Sequence, residues 1–178
     1  MYDLHSILIQ LKKEDTPLHG VMVRCVRCFY QWLDPTLWEG SALFELWAQE
    51  LELIYGDLHQ RLSPNAKTDA GSLGDRFGFD TPPELPRLLQ SIQTFYSVLI
   101  KLIAWNTLRG ATPEPPLTEL LSGRAFVNRG IRNFCGDDWY IWPLDIWDPA
   151  LETQCEELRA CLESFDTCPE GSTLSPDS

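Results

Sequence analysis

Positive charge is scarce in this chain: 14 Lys and Arg stand against 26 Asp and Glu, a formal net charge of −12. Binding to phosphate backbones is driven by Lys and Arg releasing counterions, so this balance opposes any general attraction to nucleic acid and leaves only a local contact, or one shared with a basic partner. Histidine is scarcer still, with His5, His19 and His59 scattered along the chain. Only Cys25 and Cys28 of the six cysteines form a C-x-x-C. A structural zinc site needs four suitably spaced ligands, and neither a second C-x-x-C nor a close pair of histidines supplies them. A thioredoxin-type pair needs a β-α-β setting that the pattern does not offer, so these cysteines read as small apolar residues of a helix. A redox or metal enzyme built on Cys25 and Cys28 is the weakest of the readings weighed.

Other absences narrow the class further. The most apolar stretch, "FYSVLIKLIAW", is broken by Lys101 and is shorter than the roughly 20 residues a membrane span requires. It reads as a buried core helix. The start, "MYDLHSILIQLKKED", shows no secretory signal pattern, which makes the cytoplasm the expected compartment, with no membrane partner. No glycine pattern of the G-x-G-x-x-G or Walker kind occurs, and no nucleophile with its base, acid pair or metal set stands out. Asp137 and Asp138 are adjacent, but neighbours in sequence point in different directions, so a turn or a helix start suits them better than a catalytic dyad.

What remains is helical period after helical period, cut by Pro, Gly and Asp. The 178 residues suffice for one domain that buries most of its apolar surface. Leu4, Ile7, Leu8 and Leu11 recur at the spacing of an amphipathic helix. Thr16 followed by Pro17 opens a second helix, with Val21, Cys25, Cys28 and Trp32 on one stripe. A third follows Ser41, with Leu43, Leu46, Trp47, Leu51, Ile54 and Tyr55 opposite a solvated acidic side. Residues 63–86 read as a loop. A fourth helix, about 86–108, is apolar over most of its circumference, with Thr94, Ser97 and Lys101 on the narrow remaining side. Then "LTELLSG" forms a short helix, and Asp148 with Pro149 starts a last one bearing Leu151, Cys155, Leu158, Leu162 and Phe165. A small strand pair near "RAFVN" and "WYIW" is an option. The expected fold is all-α: an irregular multi-helix bundle around a central apolar helix, with long Pro/Gly-rich loops. One helical domain should span 1–165, followed by a disordered tail over 166–178.

Against the acidic background, "GRAFVNRGIRNFCGDDWYIW" gathers Arg124, Arg129 and Arg132. With Asn128 and Asn133 they make a donor-rich patch suited to phosphate, or else they neutralise acids within the fold. Both readings stay open. Trp139, Trp142 and Trp147 follow among aspartates, which disfavours a base-stacking platform and favours an internal clamp or an interface to another protein domain.

Three stretches, "ELWAQELELIYGDL" (45–58), "IQTFYSVLIKLIAWNTL" (92–108) and "LTELLSGRAFVNRGIRNFCGDDWYIWPLD" (117–145), carry a likeness. Together they resemble the helical region that precedes the catalytic domain in large DNA adenine methyltransferases of restriction-modification and phage-defence type. The likeness spans roughly residues 40–160 and is a pattern of packing residues. That family binds S-adenosylmethionine through a Gly-rich loop and acts beside an Asn-Pro-Pro-Tyr/Phe motif. This chain has neither, since "DTPPEL" and "EPPL" lack the Asn and the aromatic flank. The resemblance therefore implies a non-catalytic module that braces a methyltransferase catalytic domain or subunit and helps position DNA through the assembly. S-adenosylmethionine would sit on the partner or on a missing domain. Candidate phosphate contacts are Arg124, Asn128, Arg129 and Arg132, and the candidate interface is Trp139, Trp142 and Trp147. An independent acidic adaptor or inhibitor, presenting carboxylates where a partner expects phosphates, is the alternative.

Overall fold

The computed structural model describes residues 4–34, 44–50, 66–135 and 138–164. Among these the fold is all-α, with no strand. In chain order the helices are α1 (Leu4–Lys12), α2 (Pro17–Trp32), α3 (described over 44–50), α4 (Ala66–Arg76), α5 (Leu85–Leu108), α6 (Leu117–Leu121), α7 (Arg124–Val127), α8 (Asp138–Ile141) and α9 (Pro149–Glu163), with a 3-10 turn at Trp142–Leu144 between the last two.

Local chemistry sets the ends. Thr16 accepts from the His19 backbone N–H ahead of Pro17, and Asp148 accepts from Leu151 N–H at 2.8 Å ahead of Pro149, each side chain satisfying a backbone donor that the first turn leaves open. From these starts α2, α5 and α9 pack pairwise into the main core, α1 lies on α2, and α6 and α8 close over α5. Val26 and Phe29 of α2, Phe95, Leu102 and Trp105 of α5, and Leu151, Cys155, Leu158 and Leu162 of α9 are all buried there. α5 is thus the central apolar helix expected from the sequence. Its 24 residues are enough to cross a membrane by length and composition alone, but its buried positions here are filled by neighbouring helices.

Several expectations are corrected. Within the expected loop 63–86 the chain forms α4, which ends where Phe77 turns back into the core. Its glycines do not prevent a helix, and Gly74 serves packing, because a Cβ there would lie 2.5 Å from the Pro83 ring. The segments offered as a strand pair are the helices α7 and α8 instead. On α5 two residues of the narrow polar side are buried, a detail the sequence left open: Thr94 is fully buried and Lys101 is only 3% exposed, whereas Tyr96 and Ile100 are exposed. The reason is partners. Thr94 Oγ1 donates to Gln90 O at 2.8 Å and accepts the Trp142 indole N–H at 2.9 Å, and Lys101 Nζ donates to Leu121 O at 2.6 Å. The elements covering that side supply an indole donor to Thr94 and a carbonyl acceptor to Lys101, which period alone does not reveal. On α3, Trp47 is buried and Leu46 is exposed, while Leu43, Leu51, Ile54 and Tyr55 lie outside the described residues, as do Phe165 and the expected tail 166–178.

Candidate functional site

The arginine-rich segment is built on a backbone turn that only glycine permits. Gly123 has φ +80, and a Cβ on it would come within 2.2 Å of Phe134 O, so the chain passes close to itself at this point. Phe126 fills the loop thus closed. Its ring sits 4.6 Å from Phe134 and 5.8 Å edge-on from Trp105, and its carbonyl accepts from Ile131 N–H. These contacts fix the path of residues 123–135 against the end of α5.

The arginines then divide by what they touch. Arg129 works inside the protein: its guanidinium donates to Leu108 O, to Arg109 O at 2.9 Å and to Thr112 Oγ1 at 2.6 Å, and stands 5.2 Å from the Trp105 ring centre. It binds carbonyls at the end of α5, where cations are favoured, so its role is a helix C-terminal clamp. The Arg124 and Arg132 side chains are exposed and form no ion pair or hydrogen bond among the described residues. Arg109, by contrast, pairs with Glu114 at 2.8 Å, and Arg24 with Glu157 at 2.9 Å. Asn128 and Asn133 are exposed on the same segment. The sequence offered phosphate contact or internal pairing for all three arginines; the fold assigns internal work to Arg129 alone.

The tryptophans divide as well. Trp142 is 1% exposed, packs edge-on against Phe29 at 5.9 Å and bonds Thr94, so it is an internal clamp between α2 and α5 and presents nothing to a partner. Trp147 is half-buried against the same core. Trp139 belongs to α8, and its side chain lies outside what the structure describes, as do Asp137 and the side chain of Asp138.

A cleft of about 350 Å³ that sequence reasoning missed opens beside the arginine segment. Its lining includes Gln93, Tyr96, Ser97 and Ile100 of α5, Asn133 and Phe134 of the segment, and Tyr140 of α8. The available signal was the pair Gln93 and Ser97, one helical turn apart on α5.

The titratable groups describe a quiet interior. Cys25, Cys28, Cys155 and Cys161 lie along the seam between α2 and α9, where Cys25 Sγ donates to Gln154 O at 3.4 Å. Burial raises all four thiols: Cys28 is pushed up to about 11, with help from Asp148, and Cys155 to about 12. Thiolate chemistry is thereby suppressed. Among the described residues, no group of three or more His, Cys, Asp or Glu is arranged to hold a metal ion. Glu163 is raised by desolvation and by the neighbouring Glu114 carboxylate, against the pull of Arg109 and Arg159.

No protein-family model matches the chain, and neither does any curated protein or solved structure. The fold defines the class on its own: an all-α protein with a glycine-anchored segment whose Arg124 and Arg132 are unpaired among the described residues, beside an aromatic cleft.

Proposed function

We infer that the chain is a non-catalytic helical module that works by binding, bracing the catalytic domain of a DNA adenine methyltransferase or restriction enzyme and helping to position DNA. The partner class comes from the resemblance of the three stretches described above. The observation that carries the DNA part is the exposure of Arg124 and Arg132 without internal partners, in a chain whose other described arginines are largely engaged. A guanidinium held on a fixed segment and left unpaired suits a phosphate, and Asn128 adds a donor on the same segment. Arg129 serves this reading indirectly, by holding the segment in place. For the bracing part, α1 offers exposed Leu4, Leu8 and Ile9 on the side turned away from the core.

The test is DNA binding by the assembled enzyme as a function of salt. Neutralising Arg124 and Arg132 together, as Arg124→Gln with Arg132→Gln, should weaken binding and reduce the salt slope by about 2, one unit per lost phosphate contact. Unchanged affinity and slope would remove the DNA role.

A net charge of −12 favours a second reading, an acidic adaptor or inhibitor that occupies the basic surface of a DNA-binding protein. It predicts a captured partner that DNA displaces, whereas the first reading predicts capture of a methyltransferase subunit.

A further inference from the structure

The cleft beside the arginines has an ordered polar edge. Gln93 Oε1 accepts the Trp47 indole N–H at 3.3 Å and the Tyr140 hydroxyl at 2.7 Å. The indole can only donate, so the amide orientation is set by chemistry: the oxygen faces Trp47, and the NH2 end points elsewhere. That NH2 forms no hydrogen bond among the described residues, and the Gln93 side chain is partly exposed. One helical turn on, the Ser97 hydroxyl has no partner among the described residues either, nor does the exposed Asn133 amide across the cleft. The rest of the lining is the rings of Tyr96, Phe134 and Tyr140, Ile100, and the buried Lys101, whose ammonium donates to Leu121 O. Tyr96 is 42% exposed and Ile100 is 53% exposed, a high apolar exposure for the central helix of a bundle.

The site therefore offers apolar faces and hydrogen-bonding edges at once. Its matching ligand is planar, apolar on its two faces and rich in donors and acceptors around its rim, and at about 350 Å³ the cleft suits one such group with its sugar. We propose that this cleft binds a single nucleobase, its ring set against Tyr96 and Phe134 and its edge read by Gln93, Ser97 and Asn133. The base can come from a free nucleoside or nucleotide, or from an unpaired position in a DNA strand. For the strand this rests on the DNA-positioning reading above; for the free nucleoside it does not.

Nitrogen-15 NMR titration of the full chain with adenosine and thymidine, and separately with a single-stranded oligonucleotide and an abasic strand of equal length, tests the proposal. A nucleoside should produce saturable shifts centred on Ser97, Ile100 and Asn133, or the base-bearing strand should bind about tenfold tighter than the abasic one. The first result identifies a free nucleoside or nucleotide as the source, the second a base within a strand. Ile100→Trp fills the cleft from an exposed position and should abolish either effect while leaving the melting temperature intact. Asn133→Ala, at an exposed site with no internal bond, should weaken binding severalfold and guards against misfolding of the first variant. Absence of saturable shifts together with equal binding of the two strands would overturn the proposal, as would shifts that survive Ile100→Trp. If both strands bind alike and Arg124→Gln with Arg132→Gln weakens both, the phosphate reading stands and the nucleobase site falls.

Discussion

Replacing Arg129 separates structural from functional arginines. Arg129→Ala removes three hydrogen bonds, to Leu108 O, Arg109 O and Thr112 Oγ1, and the contact with the Trp105 ring. Because the side chain is exposed, water replaces part of each bond, so each is worth about 0.5–1 kcal/mol net. The ring contact adds about 0.5 kcal/mol at an exposed site, and the cation at the end of α5 a few tenths more, ~0.3 kcal/mol. These contributions overlap, and their joint loss should cost about 2–3 kcal/mol. For a protein of this length that corresponds to a fall in melting temperature of roughly 4–12 °C. Thermal denaturation followed by circular dichroism, with urea titration as a second measure, reads the change directly. Arg129→Lys keeps the charge but cannot fork across two carbonyls, so it should recover less than half of the loss. Arg124→Ala and Arg132→Ala, which break no hydrogen bond or ion pair among the described residues, should each stay within about 0.5 kcal/mol of the parent. The reasoning fails if Arg129→Ala melts with the parent protein, or if all three variants fall together.

Two further expectations concern protonation. Glu163 is raised above its ordinary value of 4.5 in the folded chain, so the folded state holds a proton that the unfolded state has already released. Its contribution is complete below pH 4.5 and is lost as pH rises through the raised value; Glu163→Gln should abolish that decline in a pH series of urea midpoints, and an unchanged series would contradict it. Cys155, at about 12, and the similarly buried Cys25 should resist alkylation at neutral pH until the protein unfolds, and their raised values predict a loss of stability as pH climbs past the ordinary thiol value of 9.0. Rapid labelling of either residue with the helical signal intact would refute the packing of the α2–α9 seam.

By itself the sequence determined where most helices run and which faces they bury. Thr16-Pro17 and Asp148-Pro149 announce helix starts through short-range capping, and the stripes of α2, α5 and α9 follow from a period of 3.6 residues, so the all-α bundle around α5 was legible without coordinates. Tertiary structure decided everything that depends on a distant partner. Arg124, Arg129 and Arg132 are the same residue type in one short segment, yet only Arg129 comes within reach of carbonyls at the end of a helix some 20 residues away. Thr94 and Lys101 read only as part of a narrow polar side, and their burial came from α6 and the turn at Trp142, which bring hydrogen-bonding partners over it. Gln93, Ser97 and Asn133 line one cleft because Gly123 lets the chain fold back against α5. Periodicity follows from backbone geometry and is written locally, whereas the pairing of a polar side chain depends on which other segment arrives beside it.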